Sequence, residues 1–67
     1  MEVIVNNISE SLVEGSSLEV LLIKQDLKSQ KGIAVAVNNE VISKSEWGKT
    51  MLFSKDKITV IKATQGG

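Results

Sequence analysis

The sequence predicts an α+β domain: one mixed sheet of four to five strands with a single helix packed on one face. Three observations carry this. Short runs rich in β-branched residues alternate apolar and polar positions, as strands with one buried face do. Two of them run into Asn-Asn pairs, Asn6-Asn7 and Asn38-Asn39, and asparagine tolerates the left-handed backbone of a tight hairpin. A single segment, after Gly15, shifts to the helical period.

Taken in order, EVIVN at 2–6 reads as the first strand and Asn6-Asn7 as its turn. ISESLVE then alternates at Ile8, Ser9, Glu10 and Ser11, which predicts an antiparallel partner broken by Gly15. In SSLEVLLIKQ, Ser16 is a good N-cap with Glu19 three residues on, the spacing of a capping box. Leu18, Leu21, Leu22 and Gln25 follow i, i+3, i+4, i+7 spacing, so a helix is expected at about 17–25. Lys24 and Lys28 suit the negative end of its dipole. IAVAV at 33–37 is nearly all apolar, as a central strand would be. Asn38-Asn39 turns it back into EVI. Ser43 or Ser45 is placed to cap one helical turn. Trp47 reads as a lid over the edge of the core whose N–H finds a partner. KITVIKA at 57–63 alternates as the last strand. This leaves a domain at 1–63 and a flexible tail, TQGG, at 64–67. If the last strand lies beside the first, the arrangement is the β-grasp.

Composition narrows the function. A chain of 67 residues fits one small domain, and its core is thin. There is no Cys and no His, so neither a disulfide nor the usual zinc site can staple it. The 42% hydrophobic content must pack well instead. The same absences remove the thiol nucleophile and the imidazole base, which argues against an enzyme acting alone. Eight Lys balance eight acids, with no Arg. Lys44, Lys49, Lys55 and Lys57 are interrupted by Glu46 and Asp56. That pattern is a solvated mixed face and not a nucleic-acid patch. MEVIVNN lacks a signal peptide's basic start and apolar run, and no stretch suits a bilayer span. The expected location is the cytoplasm.

Two stretches carry a family resemblance. VAVNNEVISKSEW and DKITVIKATQGG are similar to the thiamin-biosynthesis sulfur carrier proteins (the ThiS family) of the ubiquitin-like β-grasp group. The resemblance covers the whole chain. It departs at Asn39 and Lys55, turn positions where glycine is usual in the family. It implies that the Gly67 carboxylate is the working group. An E1-like adenylyltransferase would use ATP and magnesium to convert it to an acyl-adenylate. A persulfide from a cysteine desulfurase relay would then displace AMP, and the resulting thiocarboxylate would donate sulfur to thiazole synthase. The chain itself would hold no metal, cofactor or catalytic residue. It is expected to be a monomer when free, with neither nucleic acid nor membrane as partner.

The residues agree with that implication. A carrier of sulfur on its own carboxylate needs no Cys. Gly66 and Gly67 lack side chains, so the backbone can enter a narrow channel. Thr64 and Gln65 add reach: the four residues 64–67 extend at most about 13–14 Å. Ile58 and Val60 are expected to face the core with Val3 and Val5. Thr59, Ile61 and Ala63 then fall on the opposite face, a candidate docking surface; alternatively Ile61 is a scattered exposed residue or packs under the Trp47 loop. Three rivals stay open. They are the small subunit of molybdopterin synthase, a ubiquitin-like modifier or carrier for another sulfur pathway, and an interaction domain with a frayed end.

Overall fold

The computed structural model describes residues 1–28 and 31–62. The elements are β1 (Glu2–Val5), β2 (Ile8–Ser11), α1 (Leu18–Lys24), β3 (Ile33–Val37), β4 (Glu40–Ile42), a 3₁₀ turn (Lys44–Glu46) and β5 (Lys57–Lys62). The five strands form one sheet in the order β2-β1-β5-β3-β4. β1 pairs antiparallel with β2, and β3 antiparallel with β4. The last strand lies beside the first: β5 runs parallel to β1 and antiparallel to β3. This is the expected β-grasp, and it puts the end of β5 in the middle of the sheet.

Both hairpins close on their Asn-Asn pairs. Asn6 and Asn7 have φ of 48° and 71°, and Asn38 and Asn39 have 51° and 71°. Both central residues of each turn are therefore left-handed, as a two-residue hairpin loop matched to strand twist requires. Asn39 and Lys55, the positions where family glycines were expected, stand at φ 71° and 70°. Asparagine meets that demand at little cost; lysine does so under strain.

The helix buries the stripe its spacing forecasts. Leu18, Leu21 and Leu22 are fully buried and pack with Val3, Val5, Val35, Ile58, Leu12, Leu27, Trp47 and Leu52. Each such side chain contributes about 1.5–3 kcal/mol of hydrophobic stabilisation, which an unstapled domain needs. Trp47 is 3% exposed, and its indole N–H donates to the Ile42 carbonyl at 3.1 Å. The lid reading holds, partner included.

The helix start differs from the sequence reading. Ser17, not Ser16, is the N-cap, and its Oγ accepts from the Val20 N–H at 3.3 Å. Ser16 is buried, and its hydroxyl donates to the Val13 carbonyl. Adjacent serines are equivalent by propensity. The hydrogen bond from the Leu52 N–H to the Ser16 carbonyl helps tie Ser16 into the core loop and leaves capping to its neighbour. Glu19 is then out of register for a capping box and pairs instead with Lys28 at 2.9 Å. Lys24 donates to the Ser11 carbonyl at 2.6 Å, tying the helix to the edge of β2. Ser43 precedes the 3₁₀ turn without a side-chain cap and lies 3.3 Å from the Ser45 hydroxyl. Among the described residues no helix is long and apolar enough to cross a membrane.

Candidate functional site: the open sheet face and the end of β5

Alternation along β5 decides what each face carries. Ile58 is 1% exposed and Val60 packs against the core beneath the helix. Thr59 and Ile61 point the other way and are exposed. Ile61 is 59% exposed, so it does not pack under the Trp47 loop. Across the ladder, Ala34 is opposite Ile61 and Ala36 opposite Thr59. Val41, opposite Ala36 and 73% exposed, extends that row to the edge strand. On the other flank Ile4 faces Lys57. The helix-free face therefore carries Ile4, Ala34, Ala36, Val41 and Ile61, with the polar Lys57 and Thr59 of β5 among them. The two alanines are short, which leaves Ile61 standing above its neighbours.

The sequence reading found Thr59 and Ile61 on this face. Ala63 lies outside the described residues, as do Thr64, Gln65, Gly66 and Gly67. Ala34, Ala36 and Val41 were not singled out. Their signal was present: in IAVAV the small residues recur at every second position, as they would on a face with no helix to pack against.

A second feature was read only as turn chemistry. The first asparagine of each turn bonds sideways to β5. The Val60 N–H donates to Asn6 Oδ1 at 2.9 Å, and Asn6 Nδ2 donates to the Val60 carbonyl at 3.3 Å. At the other turn the Lys57 N–H donates to Asn38 Oδ1 at 3.0 Å, and Asn38 Nδ2 donates to Asp56 Oδ1 at 3.0 Å. No local pattern announces contacts across 54 and 19 positions. Among the described residues no three acidic side chains gather closely enough to hold a metal.

The site is thus an exposed, largely aliphatic face beside a central strand that leads into the sequence ATQGG.

Comparison with known proteins places this arrangement. The chain is similar over its full length to the crystal structure of the thiamine biosynthesis protein ThiS from Geobacter metallireducens. The TM-score is 0.84 at 20% identity, with all of both chains covered. It is also similar to the solution structure of a thiamine biosynthesis protein from the same organism. There the TM-score is 0.73 at 22% identity, covering all of this chain and 88% of that one. These likenesses establish the ubiquitin-like β-grasp fold. A comparison with curated proteins finds no match. The profile of the ThiS family matches residues 3–67, the glycine pair included, and the chain belongs to that family.

Proposed function

We propose that this chain is a sulfur carrier of thiamin biosynthesis that bears the sulfur on the C-terminal carboxylate of Gly67. The supporting observation is the family match running through the two glycines, which follow a central strand whose open face bears the exposed Ile61. A carboxylate is a poor electrophile. In the proposed cycle a carboxylate oxygen of Gly67 attacks the α-phosphorus of ATP on an E1-like adenylyltransferase. Pyrophosphate leaves, and the carboxyl becomes an acyl-adenylate with a good leaving group. The terminal sulfur of a persulfide, supplied by a cysteine desulfurase relay, then attacks the carbonyl carbon and AMP departs. The resulting acyl disulfide is cleaved by a thiol, which is oxidised to a disulfide as the thiocarboxylate is released. Thiazole synthase is the proposed acceptor.

In this reading residues 1–63 are a carrier body and 64–67 the part delivered to partners. The chain is a substrate and not a catalyst. ATP and magnesium belong to the activating partner. Thr64, Gln65 and Gly66 occupy the partner's channel, and Thr59, Ile61 and Ala63 contribute to docking.

The test is intact mass spectrometry of the protein purified from its own cells, with the C-terminal peptide sequenced. A population heavier by one sulfur-for-oxygen exchange at Gly67 is expected. Deletion of Gly67, or Gly66→Val, should abolish ATP–pyrophosphate exchange by the activating enzyme while leaving the thermal midpoint unchanged. Normal exchange by the deletion variant would falsify the reading. Sulfur passing from Gly67 to a large molybdopterin synthase subunit, and not to thiazole synthase, would move the protein to that pathway.

A further inference from the structure

β1 loses contact with β5 where the chain turns away. The Ile4 N–H donates to the Asp56 carbonyl at 2.9 Å, and the Asn6 N–H to the Ile58 carbonyl at 2.9 Å. A straight strand would go on to bond Val60. It cannot, because Asn6 and Asn7 have entered the hairpin at φ 48° and 71°. The Asn6 carboxamide takes over, accepting from the Val60 N–H and donating to the Val60 carbonyl. A primary amide offers the same donor and acceptor as a peptide group, so the side chain stands in for one more residue of β1. On the other side of β5, backbone pairing with β3 continues through Ile61 and Lys62. β5 is thus paired with β3 on one side at Val60, and among the described residues Val60 is held on the β1 side by this one side chain. Ala63 lies three positions beyond.

We propose that Asn6 is a positioning residue for the C-terminal segment: its amide fixes the course of β5 at Val60, in the strand that leads into that segment. This rests on the carrier reading, since it assumes that the glycine end is delivered to a partner's active site. The amide acts through β5. A strand end held from one side only must be ordered during association, and that cost falls on binding. Chemistry at Gly67, once bound, is unaffected. Loss of the amide therefore raises KM and leaves kcat in place.

The matched pair of turns supplies its own control. Asn6→Gly keeps the turn, because glycine accepts positive φ without penalty, and removes only the amide. Asn38→Gly does the same at the start of β5. Full-length variants are assayed as substrates in ATP–pyrophosphate exchange by the activating enzyme. Amide hydrogen exchange is measured on the same samples. For Asn6→Gly the expected result is a KM raised about tenfold at unchanged kcat. The Val60 amide should exchange faster, with Leu22 and Val35 unaltered. Asn6→Asp keeps the acceptor for the Val60 N–H and loses the donor. It should fall between wild type and Asn6→Gly, and it can be read even if the glycine variant folds poorly. Asn38→Gly should keep the wild-type KM.

A wild-type KM for Asn6→Gly, unchanged exchange at Val60, or an equal rise in KM for Asn38→Gly would each overturn the positioning role while leaving the carrier reading intact. Failure of the wild-type chain to be adenylated is the different result that overturns the carrier reading, and this role with it.

Discussion

Asn6-Asn7 and Asn38-Asn39 share nearly one backbone, φ 48° and 71° against 51° and 71°, yet they hold β5 at opposite ends. Asn38 works at the start of the strand, within a dense set of bonds. Its amide reaches both the Lys57 N–H and the Asp56 carboxylate. Its own N–H donates to the Lys57 carbonyl at 2.7 Å. The second carboxylate oxygen of Asp56 accepts from the Phe53 N–H at 2.8 Å, closing the turn that feeds the strand. Asn6 works near the other end: its N–H likewise donates to β5, at the Ile58 carbonyl, but at Val60, among the described residues, its side chain has no neighbour like Asp56 beside it. Identical turn chemistry thus serves a redundant anchor at one end and a single clamp at the other. Redundancy suits the end that holds the body together. A single clamp suits the end nearest the segment proposed to be handed between partners.

The comparison can be broken first at the backbone. A β-branched residue at left-handed φ is strained, so Asn7→Val and Asn39→Val should each cost about 2 kcal/mol. Urea midpoints measure this, and markedly unequal losses would show that the turns are not equivalent as turns. The next largest effect concerns the open face beside the clamped end. Ile61→Asp should weaken binding to the activating enzyme about tenfold, equivalent to about 1.4 kcal/mol, with the thermal midpoint retained. Unchanged affinity in a titration would place docking away from Ile61. At the redundant end Asn38→Gly removes two exposed side-chain bonds and should cost about 1 kcal/mol of stability. A loss no greater than that of Asn6→Gly would fit a redundant anchor; a larger loss would show that the Asn38 amide is not duplicated. The smallest effect is a gain. Lys55 holds φ 70°, and Lys55→Gly relieves that strain against glycine's greater unfolded entropy. A net stabilisation of about 0.5 kcal/mol is expected, and a destabilised variant would show that the lysine side chain contributes contacts of its own.

Much of this molecule was legible in the chain. The alternation of EVIV and KITVIK set the strands and sorted Ile58 from Ile61, because side chains alternate faces regardless of what the strand pairs with. Leu18, Leu21 and Leu22 marked the buried helix stripe for the same local reason. Ser16 and Ser17 could not be ranked, since both are good caps, and their relation to Leu52 and Val20 decided between them. The open face was only half seen. Thr59 and Ile61 were found by period, but the alanines opposite them become part of a surface only when β3 pairs with β5.

The sequence by itself determined the elements, the turn chemistry and the glycine pair that carries the family match, since each rests on period, composition or a local backbone demand. Only the tertiary structure decided which asparagine holds what. An amide reaching across 54 positions depends on where two strands settle side by side, and no local rule reports that distance.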